Sequence, residues 1–286
     1  MRAPTWIGIV SVIGIAMAAG CGPVTMSMAP DSGGPDTNGL IDSGPEPAFS
    51  AVYAHSDTTL FKVDPDTLTV TEVASFGWPN LNAVDQMTDI ALDRNSNMVG
   101  ISFTKVYSID KETAACRYLS TLDASLARQF NGLSFVPPSE VDPNGPEILV
   151  ATAYDGTVWR LDPATGVGTM LGSYGNGMQS SGDVVSVSGF GTVATVKMPG
   201  HATDWLVRVN VKTGAATPIG DTGFTDIWGV GFWKNKIYGF TSIGSYGTGR
   251  ARFILINPQT GVGTMREMSN VSWWGAGVTT SAPITP

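Results

Sequence analysis

Apolar residues in this chain alternate with polar ones in short runs; they do not recur every three or four positions. Phe61 and Val63, Tyr107 and Ile109, and Trp159 and Leu161 fall on one parity, while Lys62, Ser108, Arg160 and Arg208 fall on the other. That is strand alternation. Each run ends at Asp or Asn, passes through a turn containing Thr, and resumes as a second short strand. Five copies are present: Leu60–Thr67, Val106–Thr113, Val158–Thr165, Leu206–Thr213 and Phe253–Thr260. Their marker residues, Asp64, Asp110, Asp162, Asn210 and Asn257, are 46, 52, 48 and 47 residues apart. A strand-built period in the forties predicts an all-β fold, a five-bladed β-propeller of four-stranded antiparallel blades.

Within the fifth copy, Trp228–Phe232 is strand A, Lys236–Phe240 strand B, Arg252–Ile256 strand C and Gly263–Met268 strand D. The second copy divides in the same way, from Asp89–Leu92 to Arg117–Thr121. The first copy lacks a strand A, because Phe49–Ala54 already reads as strand B. The missing strand is supplied by Trp274–Thr280, which aligns with Trp228–Phe232. The C-terminal strand is thus expected to complete the first blade, and closure removes open sheet edges. The Asp/Asn-x-x-Thr unit explains itself locally. Its side-chain oxygen bonds backbone N–H groups two residues on, and Gly166, Gly214 and Gly261 supply a positive φ.

The N-terminus breaks this pattern. After Arg2 an apolar run, Trp6–Ala19, leads into Ala18-Ala-Gly-Cys21. It is short for a membrane-spanning helix and reads as a signal peptide over residues 1–20. Residues 21–48 carry Pro, Gly, Ser, Asp and Thr and few large apolar groups, so they form a flexible linker with a reach of roughly 28 Å. The propeller is expected over 49–281, with a tail at 282–286. The small residues before Cys21 resemble the lipobox of bacterial lipoproteins, although Ala18 stands where Leu is usual. The resemblance implies a diacylated Cys21 and a membrane anchor. With Gly22 next, it also implies an outer-membrane or cell-surface location.

The net charge of −8 becomes −9 once Arg2, the sole charge in residues 1–20, is removed. Nucleic acid is excluded as an expected partner, since phosphate contacts need a basic surface. Besides Cys21 there is only Cys116, so no disulfide framework and no Cys metal site is expected. Cys116 falls where other copies have Val70, Gly168, Ala216 and Gly263, and reads as a small strand residue.

One stretch resembles a known group. Asn131-Gly-Leu-Ser-Phe135, Val158-Trp-Arg-Leu-Asp-Pro-Ala-Thr-Gly166 and Met170-Leu-Gly172 are similar to the repeat of secreted bacterial β-propellers, in the NHL-like and quinoprotein-like group. The resemblance spans residues 50 to 280 and implies fold; that group has no shared catalytic set. Its Trp-docking repeats for a quinone cofactor are absent, and no cofactor is expected.

In a propeller the D–A connections and B–C loops share one face. The D–A connections carry Trp78 and Asn80, Tyr174 with Asn176 and Gln179, Asp226, and Trp273. The B–C loops are read to carry His55 and His201, and also Tyr154, Ser245 and Tyr246. Aromatics with amides and carboxylates on loops over a rigid scaffold form a binding surface, so these nine residues (Trp78, Asn80, Tyr174, Asn176, Gln179, Asp226, Trp273, His55 and His201) are the ligand-binding candidates. Trp228 and Trp274 are read first as wedges between blades. Asp89, Asn131 and Asp183 are placed at the channel mouth, with capping of strand-start N–H groups as their alternative role. The expected function is a non-catalytic, membrane-anchored binding or scaffolding protein, a monomer engaging a glycan, a peptide or an envelope protein. The alternative is a metal-dependent hydrolase or lactonase using Asp89, Asp183, Asp226 and His201 at the channel mouth.

Overall fold

The alternating runs pair as their parity requires. A computed structural model describes residues 51–80, 84–243 and 250–285. The expected signal segment, Cys21, the linker, and loop residues Ser245 and Tyr246 lie outside the described residues.

The first blade takes β1 (Val52–His55), β2 (Thr59–Val63) and β3 (Val70–Ser75). The second holds β4 (Met87–Leu92), β5 (Met98–Ser102), β6 (Lys105–Ile109) and β7 (Cys116–Thr121). The third holds β8 (Phe130–Val136), β9 (Ile148–Ala153), β10 (Thr157–Leu161) and β11 (Gly168–Ser173). The fourth holds β12 (Gln179–Val187), β13 (Gly191–Lys197), β14 (Asp204–Val209) and β15 (Ala216–Asp221). The fifth holds β16 (Ile227–Trp233), β17 (Lys236–Ile243), β18 (Arg250–Ile256) and β19 (Gly263–Ser269).

The last strand, β20 (Gly275–Gly277), joins the first blade in the order β20-β1-β2-β3, pairing Tyr53 with Gly277 and His55 with Gly275. Every strand pairing within a blade is antiparallel, and the innermost strands β20, β4, β8, β12 and β16 touch one another in ring order. The chain is a five-bladed β-propeller, closed by its own C-terminus.

The C–D turns follow the local chemistry read from sequence. Asp64 Oδ1 accepts from the Asp66 and Thr67 amides at 2.8 and 3.0 Å. Asp110, Asp162, Asn210 and Asn257 repeat the bond to the amide two residues on, at 2.8–3.0 Å. The core lies between blades. Phe61, Phe240, Phe253 and Trp273 pack where the fifth blade meets the first, and Phe76, Trp78, Met87 and Tyr107 where the first meets the second. Burying side chains of this size contributes roughly 1.5–3 kcal/mol each. Cys116 belongs to that second seam; its thiol faces the Ala114 carbonyl at 3.6 Å, and burial pushes it up to about 12. It is a packing residue, since the thiolate is the reactive form.

Beyond β20 the chain crosses the face that carries the A–B turns. Thr279 Oγ1 donates to the Asp93 carbonyl at 2.7 Å. Ser188 donates its amide to the Thr280 carbonyl at 2.8 Å, and Lys234 to Pro283 at 2.7 Å. Thr280 Oγ1 also bonds Glu147. These partners come from the A–B connections of blades two, three, four and five, so the tail ties four blades together beneath the ring.

Candidate functional site

A pocket of about 410 Å³ opens on the opposite face, over the ring axis. Gln86, Thr88, Phe103, Asn131, Tyr154, Trp228, Trp273 and Trp274 line it. They come from strand-A starts and B–C loops of blades one, two, three and five. Five are aromatic, and none is acidic or basic.

β-bulges build much of this lining. In the second, third and fifth blades the A–B register shifts between Met87 and Asp89, Phe130 and Gly132, and Ile227 and Gly229. The extra residues are Thr88, Asn131 and Trp228, and all three line the pocket. A bulge leaves one residue unpaired and turns its side chain out of the sheet's alternation. Here it turns that residue toward the mouth. Trp274 holds the equivalent place ahead of Gly275.

The residues after the bulge meet at the axis: Asp89, Gly132, Asp183, Gly229 and Gly275. The glycines make room for the two carboxyls. A Cβ on Gly275 would sit against Asp89 Oδ1 and His55 Nε2, and one on Gly132 against the Thr152 hydroxyl and the Asp183 backbone. Asp183 Oδ1 accepts from the Val184 amide at 2.6 Å, and Oδ2 from Val230 at 2.8 Å. Asp89 Oδ1 accepts from Ile90 at 2.8 Å. The two carboxyls lie near enough to influence each other's titration, while Asp89 Oδ2 is buried without a hydrogen-bond partner among the described residues. Burial raises both, Asp183 up to about 8; for Asp89 the Asp183 charge adds to burial. Beside them His55 is fully buried, its Nδ1–H donating to the Ser56 carbonyl at 2.7 Å and Nε2 lying 3.6 Å from Asp89 Oδ1. Burial lowers the imidazole to about 4, so it is neutral beside a protonated acid and makes no ion pair at neutral pH.

The candidates read from sequence are dispersed by the fold. Trp273 lines the pocket, and so does Asn131. Trp78 does not lie open to a ligand: it is buried between Phe76 and Tyr107, ring centroids 5.7 and 5.2 Å away, and anchors its D–A connection. Tyr174 is likewise buried, in the seam between blades three and four. His55 is the last residue of β1, not a loop residue, and its burial removes it from ligand contact. Asp89 and Asp183 lie below the mouth, fully buried, on backbone amides. Asn80, Asn176 and Gln179 are exposed, outside the pocket lining. Asp226 pairs with Lys197 at 3.2 Å. His201 is exposed in its B–C loop, edge-on to Trp205 at 4.7 Å.

Trp228 and Trp274, read from sequence as wedges, are half-buried and face the pocket. Phe103, Thr88 and Gln86 complete the lining without being candidates on sequence grounds. A signal for the bulge residues was present: Thr88, Asn131, Trp228 and Trp274 each precede an Asp or Gly followed by an apolar residue. Among the described residues no group of three or more His, Cys, Asp or Glu side chains is placed to hold a metal ion; of the four residues expected for a hydrolase, Asp89 and Asp183 come together at the axis, while Asp226 pairs with Lys197 and His201 packs on Trp205.

No protein-family model and no curated protein sequence matches the chain. Among solved structures, the chain is similar to a protein of unknown function from Bacteroides thetaiotaomicron VPI-5482, at 10% identity over 82% of this chain and 62% of that one, TM-score 0.46. It is similar to an auxiliary nutrient binding protein of the same organism, at 16% identity over 76% and 54%, TM-score 0.42. A third likeness is to the Dos1 propeller, at 11% identity over 74% and 55%, TM-score 0.38. The chain thus spans less than two thirds of each of these, and likenesses of this degree carry no argument about activity or ligand.

Proposed function

We propose that the protein is a binding propeller displayed on a bacterial envelope, held by lipid on Cys21 and capturing a glycan, a peptide or an envelope protein at the aromatic pocket. The observation that carries this is the pocket: about 410 Å³, lined by five aromatic side chains and three neutral polar ones. Its size falls within the roughly 300–1,000 Å³ of small-molecule sites. Its lining has large apolar surfaces for contact and a few fixed polar atoms for orientation. The buried carboxyls beneath accept from backbone amides of the innermost strands, so they support the scaffold and leave recognition to the rim.

Binding is tested by screening the full chain against glycan and peptide arrays, then titrating hits by calorimetry. Trp228→Ala and Trp274→Ala are each expected to weaken a pocket ligand by roughly 1–3 kcal/mol, the scale of a buried aromatic contact, with little change in melting temperature. Hits that bind both variants as well as the parent would place recognition elsewhere. The anchor is tested separately. Cys21→Ser is expected to move the protein out of the detergent phase in phase partitioning, and unchanged partitioning would remove the lipid from the proposal.

A further inference from the structure

The polar atoms of the pocket are not equally free. Thr88 Oγ1 donates to the Ile101 carbonyl at 3.0 Å, Gln86 Nε2 donates to Asp57 at 3.0 Å, and Asn131 Nδ2 points to the Ser180 carbonyl at 3.5 Å. Each spends a donor on the protein. Two residues of the lining each hold a buried atom with no partner among the described residues: Asn131 Oδ1, an acceptor, and Trp273 Nε1, a donor. Asn131 is 3% and Trp273 1% exposed. A buried polar atom left unpaired is costly, so an occupant that satisfies both is favoured over one that satisfies neither.

We infer that the pocket takes an uncharged sugar ring, its C–H face stacked on Trp228 or Trp274 and its hydroxyls donating to Asn131 Oδ1 and accepting from Trp273 Nε1. The inference rests on the proposed reading of this pocket as the binding site. A hydroxyl is both donor and acceptor, and so matches this pair of atoms. A quaternary ammonium ion would suit an aromatic cage but has neither an N–H for Asn131 nor an acceptor for Trp273. A carboxylated sugar would bring a charge to a lining that holds no cation, above the acids at the axis. An apolar ring would leave both atoms unpaired.

The test uses the full chain in a detergent without a sugar headgroup. Tryptophan fluorescence and calorimetry follow titration with glucose, galactose, N-acetylglucosamine and their β-linked disaccharides. Glucuronate, tetramethylammonium and a neutral tripeptide serve as the other classes. The expected result is that at least one neutral sugar binds more tightly than roughly 1 mM and glucuronate binds more weakly. Trp273→Phe keeps the ring and removes the N–H; Asn131→Leu removes the acceptor. Each is expected to lose roughly tenfold in sugar affinity, with parent-like circular dichroism. If Trp273→Phe does not fold, the Asn131 variant decides alone. Sugar binding unchanged in the folded variants overturns the contact scheme. Binding of tetramethylammonium or the tripeptide without any neutral sugar overturns the sugar while leaving the pocket reading intact. Silence from every probe overturns both.

Discussion

Asp183 holds each carboxyl oxygen on a backbone amide, and Asp89 meets it across the axis of the ring. This pair gives stability a definite pH dependence. Both carboxyls are raised by burial, Asp183 to about 8 from an ordinary 3.8. The folded chain therefore keeps protons that the unfolded chain releases, and the pair's contribution is full below about pH 4 and lost as pH rises toward about 8. His55 runs the other way. Its ring is lowered to about 4 from 6.5, so its contribution is full above about pH 6.5 and lost as pH falls toward 4. Asp89→Asn keeps the acceptor for the Ile90 amide and cannot ionise. Melting temperatures between pH 6 and 9 should fall less steeply in this variant than in the parent. Equal slopes would show that Asp89 does not set this pH dependence.

At the scale of the element, the C–D hairpin is locally encoded but its glycine answers to two demands. Gly166 has φ +74°, and a Cβ there would also lie against the Thr121 carbonyl at the end of β7 in the preceding blade. The left-handed conformation alone costs a non-glycine residue roughly 1–2 kcal/mol. Gly166→Ala should therefore lower the melting temperature by at least roughly 2–4 °C, the response of a domain this size to about 1 kcal/mol, and should leave pocket affinity unchanged. Ala114 occupies the equivalent turn position of blade two at φ +57°, so the turn itself tolerates a methyl group. A Gly166→Ala protein as stable as the parent would remove the interblade contact from this account.

At the scale of the molecule, closure depends on three residues of β20 and the tail behind them. Ending the chain before Trp273 removes the strand that pairs with β1 and one aromatic from the Phe61–Phe240 seam. That chain should lose its cooperative thermal transition. Ending it after Val278 should be milder: the ring stays closed, but the bonds from Thr279, Thr280 and Pro283 to blades two to five are lost. A calorimetric series of the two truncations and the parent should rank in that order. Equal stability of the parent and the chain ending after Val278 would mean that the tail contributes nothing to holding the blades.

The five strand-C runs, their Asx turns and the closing Trp274–Thr280 phrase were legible because each is local: alternation sets which side a residue faces, and an Asp two residues before an amide can reach it unaided. What lines the pocket was not local. Trp273 and Trp274 are neighbours and both line the pocket, yet one is buried against Phe61 and Phe240 and the other is half-buried. Trp228 reaches the mouth as the extra residue of a bulge, which shifts parity by one and escapes any pattern read from period alone. Nor does sequence spacing bring Asp89 against Asp183, 94 positions apart (183 − 89). Only the closed ring sets those carboxyls at one axis, with glycines on the other three innermost strands leaving room for them. The sequence by itself determined the repeat, the turns and the means of closure. The tertiary structure decided which aromatics are core and which are surface, because that choice is made where blades meet.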